Sequence, residues 1–152
     1  MLDDASFESR LREIIAQHLA LEGPLLPILH AVQAEWGHVP APAIPILAEA
    51  LNLGRAEVHG VVSFYHDFRG SPAGKAVIKI CAAEACQAQG ARGLMRETLK
   101  AFGLFAYGTT ADGRVTVEPV YCLGLCATGP AAMVDGALKG RATAEMLAEA
   151  AR

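Results

Sequence analysis

No block of five like charges occurs in the 152-residue chain, and no apolar run approaches the ~18 residues that a membrane helix needs. The first absence, with a net charge of −3, removes the electrostatic footprint of a nucleic-acid or polyanion binder. The second argues against membrane insertion. The N-terminal MLDDASFESRLREII is acidic and amphipathic and lacks the basic stretch and apolar core of a secretory signal, so a cytoplasmic location is expected. In a reducing compartment, four cysteines are poorly explained as structural disulfides. A chain of this size buries roughly 68–70% of its extended surface, so it needs neither a disulfide nor a metal merely to fold. Metal or redox chemistry becomes the expected use of its thiols.

Cysteine is also missing before residue 81, and histidine after residue 66. This asymmetry predicts two regions with different roles, an N-terminal helical bundle over residues 1–70 and an α/β domain over residues 75–152.

In the first region Phe7, Leu11, Ile14, Ile15 and Leu19 recur at helical spacing, with Ser6 or Asp4 available as N-cap. Pro24 suits the first turn of a second helix, whose stripe Leu25, Ile28, Leu29, Val32 and Trp36 stops at Gly37. A third helix is expected from about Pro42 through Leu51. A fourth runs from Arg55 to about Asp67, with Val58, Val61, Val62 and Tyr65 on one face. Trp36 and Tyr65 are read as core residues.

The segment RGSPAG (69–74) has linker composition, and beyond it the period changes. KAVIKI (75–80) and GRVTVEPV (113–120) read as strands, and residues 90–104 as a helix with Met95, Leu99 and Phe102 in line. AAMV and ALKG flank Asp135-Gly136, a tight hairpin turn, and Thr143 caps a last helix carrying Met146 and Leu147. The order strand, helix, strand, hairpin, helix after a bundle makes an α+β chain whose second domain fits a thioredoxin-like layer.

The cysteines are spaced Cys81-x4-Cys86, then 35 residues, then Cys122-x3-Cys126, each pair directly after a predicted strand. Three chemistries compete for them. Structural zinc tolerates these spacings but usually serves domains too small to fold alone. A redox dithiol wants Cys-x-x-Cys at a helix N-terminus, and neither pair has that spacing. A [2Fe–2S] cluster needs two thiolate pairs with backbone N–H groups turned toward sulfur, and Ala82, Ala83, Ala85 and Gly124 are small enough to permit that approach. Its charge of about −2, falling to about −3 on reduction, requires such donors. The five histidines, His18, His30, His38, His59 and His66, form no zincin pattern, and packing is the expected role. Residues 47–65 resemble a helix-turn-helix, but after Asn52 only Arg55 offers a base- or phosphate-contacting side chain before Arg69, so no nucleic-acid partner is expected.

GVVSFYHDFRGSPAGKAVIKICAAEAC (60–86), TTADGRVTVEPVYCLGLCATGPAAMV (109–134) and LLPILHAVQAEWGHVP in the bundle resemble the thioredoxin-like [2Fe–2S] subunit family of NADH-linked oxidoreductases. That family includes the small iron–sulfur subunit of respiratory NADH dehydrogenase, a counterpart in NAD-reducing hydrogenases, and the gamma subunit of soluble NAD-dependent formate dehydrogenases. AEACQ, RAEVHGV and EPVYCLGLCATGPA are most similar to the formate dehydrogenase gamma subunit. The resemblance implies a [2Fe–2S] cofactor held by Cys81, Cys86, Cys122 and Cys126, with no catalytic residues on this chain. It also implies a flavin- and NAD(H)-binding partner subunit and, in the same complex, a molybdenum- or tungsten-containing formate dehydrogenase subunit. Thioredoxin-like folds usually place a cis proline beside the active site. Pro130 occupies the matching place, although only about 5–6% of X–Pro bonds are cis.

Overall fold

The computed structural model describes residues 4–151. They divide into two compact units, the first ending at Pro72 and the second beginning at Ala73.

The first unit is helical: α1 (Asp4–His18), α2 (Leu25–Trp36), α3 (Ala43–Leu51) and α4 (Arg55–Phe64). Its core joins Leu11, Ile14 and Ile15 of α1 to Ile28, Leu29 and Val32 of α2, Leu47 of α3 and Val58 of α4. Burying each of the larger aliphatic side chains contributes about 1.5–3 kcal/mol. Several local expectations are corrected. Ser6 lies inside α1 and Asp4 is already helical, so neither is the N-cap. Pro24 is the N-cap of α2 rather than a first-turn residue, and its carbonyl accepts the Ile28 N–H at 3.0 Å. Leu19 falls beyond the end of α1 and is half exposed. The last helix stops at Phe64, three residues before the expected Asp67. Tyr65 is therefore turned out, 44% exposed, and Phe68 takes the core position beside the His30 ring. Trp36 is half buried and packs on Phe7, with ring centroids 4.8 Å apart.

The second unit contains β1 (Ala76–Cys81), α5 (Glu84–Ala88), α6 (Ala91–Ala101), β2 (Gly108–Thr109), β3 (Val115–Val120), β4 (Ala132–Val134), β5 (Ala137–Lys139) and α7 (Ala144–Ala150). The sheet order is β2-β3-β1-β4-β5. Strand β1 is central, parallel to β3 with Cys81 opposite Val120, and antiparallel to β4 with Ile80 opposite Ala132. A parallel pair demands a long crossover, which α5, α6 and β2 supply. Ile78, Ile80, Val117 and Val134 form the sheet's share of the core, under Leu94 and Leu99 of α6 and Leu147 of α7. Pro119 can stand in β3 because β2 pairs only with Thr116 and Val117, leaving that side of the strand's end without a ladder to break. Asp135 and Gly136, both with positive φ, make the expected tight turn between β4 and β5, and the Thr143 hydroxyl accepts the Met146 N–H at 3.3 Å to cap α7. The short helix α5 and the two-residue strand β2 were not expected.

Candidate metal centre

Both cysteine pairs emerge where strands end. Cys81 is the last residue of β1, and its N–H donates to Ala131 O at 3.0 Å while the next N–H, of Ala82, donates to Val120 O at 2.8 Å. The ends of β1, of β3 and of the segment entering β4 are thus pinned together. Cys86 follows on α5. Cys81 and Cys86 are both buried, in a small cluster with Ala91 and Ala131. Cys122 and Cys126 lie on the loop between β3 and β4 and are exposed. Cys126 opens a 3₁₀ turn, Cys126–Thr128, and the Gly129–Pro130 peptide behind it is cis.

The loop's backbone shows how the pairs relate. Cys122 adopts φ +86° and Gly124 φ +74°, conformations that fold the chain tightly around the first cysteine of the pair. The Gly124 N–H then donates to Cys122 Sγ at 3.4 Å. Burial pushes the Cys81 thiol up, but N–H groups of Ala83, Cys122 and Leu123 and the neighbouring Cys86 thiol outweigh it, leaving Cys81 below the usual thiol range. Burial, followed by the Cys81 contact, pushes Cys86 the other way; the Ala131 N–H partly offsets this, and the charges of Cys81 and Cys126 add to the rise. Two amides from the second cysteine loop therefore point at a sulfur of the first.

As the side chains stand, no three or more His, Cys, Asp or Glu among the described residues form a group that could hold a metal ion. Cys81 and Cys86 are in contact and Cys126 acts on Cys86 by its charge, while Cys122 and Cys126 keep their side chains at the surface. The backbone carries the convergence. The histidines are elsewhere: His18 Nδ1 lies 2.8 Å from Ile14 O and His38 Nδ1 lies 2.9 Å from Trp36 O, both local contacts in the helical unit.

Side chains not singled out in the sequence brace the two loops. Arg92 Nε donates to Gln87 Oε1 at 2.8 Å, and Gln87 Nε2 donates to Ala82 O, fixing the turn after Cys81. Gln89 Nε2 donates both to Ala85 O at 3.1 Å and to Cys126 O at 2.9 Å. The second of these bonds spans 37 residues of chain, and no local pattern announces it. Beside Cys81 lies a cavity of about 360 Å³ walled in part by Gln87, Arg92, Met95 and Tyr107. Burial, and then the nearby Tyr121, push the Tyr107 phenol up.

Residues 11–152 match the thioredoxin-like [2Fe-2S] ferredoxin family. The chain belongs to that family. It is similar to an NADH-quinone oxidoreductase subunit of Pseudomonas aeruginosa, 39% identical over 107 residues that make up 70% of this chain and 64% of that one. It is also similar to the NADP-reducing hydrogenase subunit HndA of Solidesulfovibrio fructosivorans, 33% identical over 122 residues, 80% of this chain and 71% of that one. Among solved structures, the NAD+-reducing [NiFe]-hydrogenase in its air-oxidized state superposes with a TM-score of 0.67 at 28% identity, over 82% of this chain and 21% of that chain. This chain therefore corresponds to one portion of that larger protein.

The cofactor of a thioredoxin-like [2Fe–2S] ferredoxin is a [2Fe–2S] cluster, and the donors on this chain fit it. Four thiols in two pairs match the thiolate demand of two irons, and the N–H groups directed at Cys81, Cys86 and Cys122 are the donors that an anionic cluster requires. Among the described residues no helix is long and apolar enough to cross a membrane.

Proposed function

We propose that the chain is the [2Fe–2S] electron-transfer subunit of an NAD-dependent formate dehydrogenase complex, with Cys81, Cys86, Cys122 and Cys126 as cluster ligands. When bound, the cluster supplies one-electron transfer, here with a flavin-bearing, NAD(H)-binding subunit. Formate oxidation belongs to a separate molybdenum- or tungsten-containing subunit. The observation that supports the ligand assignment is the meeting of strand ends, with Cys81 opposite Val120, two residues before Cys122, and the Cys81 and Ala82 N–H groups on Ala131 O and Val120 O. Through them the second cysteine loop already faces the first.

The chain's own residues have three tasks. The buried Cys81 and Cys86 offer thiolates to one iron in a site whose backbone donors offset the charge. Cys122 and Cys126, exposed on the facing loop, would hold the second iron. The small residues within the two pairs, Ala82, Ala83 and Ala85 in the first and Gly124 in the second, leave the amides free to approach sulfur. Support for the formate reading comes from AEACQ, RAEVHGV and EPVYCLGLCATGPA. A second reading, the equivalent subunit of an NADH-quinone oxidoreductase or an NAD-reducing hydrogenase, is favoured by what the Pseudomonas relative and the superposing hydrogenase are.

Anaerobic purification with iron, sulfide and zinc analysis tests the cofactor: iron and sulfide in the one-to-one ratio of a [2Fe–2S] cluster are expected, with an EPR signal on reduction. Zinc without sulfide refutes the cluster. Cys122→Ser is expected to lose the cluster or release it readily, while far-UV circular dichroism of the helices persists. Copurification separates the complexes. A flavin subunit together with a molybdopterin subunit supports the formate reading, and a quinone-reducing arm or a nickel subunit supports the second.

A further inference from the structure

Gln89 stands just beyond α5, three residues after Cys86, and its carboxamide nitrogen donates both back into that helix and across to the Cys126 loop. One bond reaches Ala85 O, beside Cys86, and the other reaches Cys126 O. The same carboxamide explains a glycine that backbone conformation does not. Gly129 has φ −68° and ψ 164°, extended backbone open to any residue, yet a Cβ placed on it would stand 2.9–3.0 Å from Cδ, Oε1 and Nε2 of Gln89. Space for Gln89, rather than a special turn, accounts for glycine there.

We propose that Gln89 is a positioning residue that clamps the Cys126 loop to the Cys86 helix, and that Gly129 is bare because the clamp occupies its side-chain space. The proposal rests on the reading of Cys86 and Cys126 as cluster ligands. Cys81 and Cys86 are held by burial. Cys126 is exposed at the head of a three-residue turn, so its position depends on polar ties of this kind. The far side of the same turn is tied by the Arg141 N–H, which donates to Thr128 O at 2.6 Å. With Gln89 bound to Cys126 O, both ends of the turn are fixed, and the backbone that carries the Cys126 thiol cannot shift without breaking the clamp or moving α5 with it.

The test uses the full chain with its cluster loaded. Gln89→Leu removes both donors at similar volume. Gly129→Ala keeps Gln89 but drives its flexible tip out, and the backbone at 129 accepts alanine. Each variant is expected to lose visible cluster absorbance to a chelator faster than the parent, on the order of tenfold for removal of a group that orients a metal ligand. Each should also give a broadened EPR spectrum on reduction, while the far-UV circular dichroism of the cluster-free chain is unchanged. Because both act on one contact, the double variant should lose the cluster no faster than the worse single variant. Parent-like retention and lineshape in Gly129→Ala, or rates that multiply in the double variant, overturn the clamp. A Cys126→Ser chain that keeps the parent spectrum overturns instead the ligand assignment beneath it, and the proposal with it.

Discussion

Cys122 is a β-unbranched residue held at φ +86°, where non-glycine side chains cost of order 1–3 kcal/mol. The N–H groups of Cys122 and Leu123, at this point of the chain, both help to lower the Cys81 thiol. Another residue-scale departure lies in α6. Thr98 is fully buried, and its hydroxyl has no hydrogen-bond partner among the described residues. A buried hydroxyl without a partner forfeits its hydration, so Thr98→Val, of nearly the same shape, is expected to stabilise the second unit by about 1 kcal/mol in denaturant unfolding. Unchanged or lowered stability would place a partner at that hydroxyl. Thr98 also shows a limit of pattern reading. Met95, Leu99 and Phe102 mark the helix face by their apolarity, but a threonine between them reads as surface until the sheet beneath it is seen.

At the scale of elements, periodicity located every long helix and both long strands, because a face that must be buried writes its period into the chain. Ends and short pieces were less legible. Leu19 continues the spacing of α1 and Tyr65 that of α4, but the helices stop at His18 and Phe64 and the next residues leave the face. The five-residue α5 and the two-residue β2 are too short to show a period at all. The turn joining β2 to β3 carries its own electrostatics. The Thr110 hydroxyl donates to Asp112 Oδ1 at 2.6 Å, Arg114 Nε to Oδ2 at 2.6 Å, and the Arg114 backbone N–H to Oδ1 at 3.0 Å. Together they hold the Asp112 carboxyl well below the usual carboxylate range. With the folded pKa depressed, the folded chain binds fewer protons here than the unfolded one. The contribution is present above the unfolded value of about 3.9 and is lost as pH falls from there toward the folded value. Asp112→Asn is expected to flatten the fall in urea midpoint between about pH 5 and about pH 2, relative to the parent. An identical slope in the variant would mean that the turn does not contribute.

At the scale of the molecule, each unit has a core of its own among the described residues. Leu29→Ala, at a fully buried position of the helical core, is expected to cost about 2–5 kcal/mol. If the units fold separately, the loss appears in the helical far-UV signal while cluster absorbance, which reports the second unit, keeps its denaturant midpoint. A joint shift of both signals would show one cooperative molecule.

The sequence by itself determined the helical and α/β halves, most of the aliphatic residues of both cores and the two cysteine pairs with strands leading into them. Burial patterns and ligand spacing are local properties, readable within a dozen residues. Only the tertiary structure decided how the pairs meet: Cys81 beside Cys86 in a buried cluster, the amides of Cys122 and Leu123 on the Cys81 sulfur, and Gln89 on Cys126 O. Those last contacts join segments more than thirty residues apart, brought together by the parallel pairing of β1 with β3 and the antiparallel return of β4. A hydrogen bond across such a distance leaves no periodic trace, because its two partners share no face of any single element.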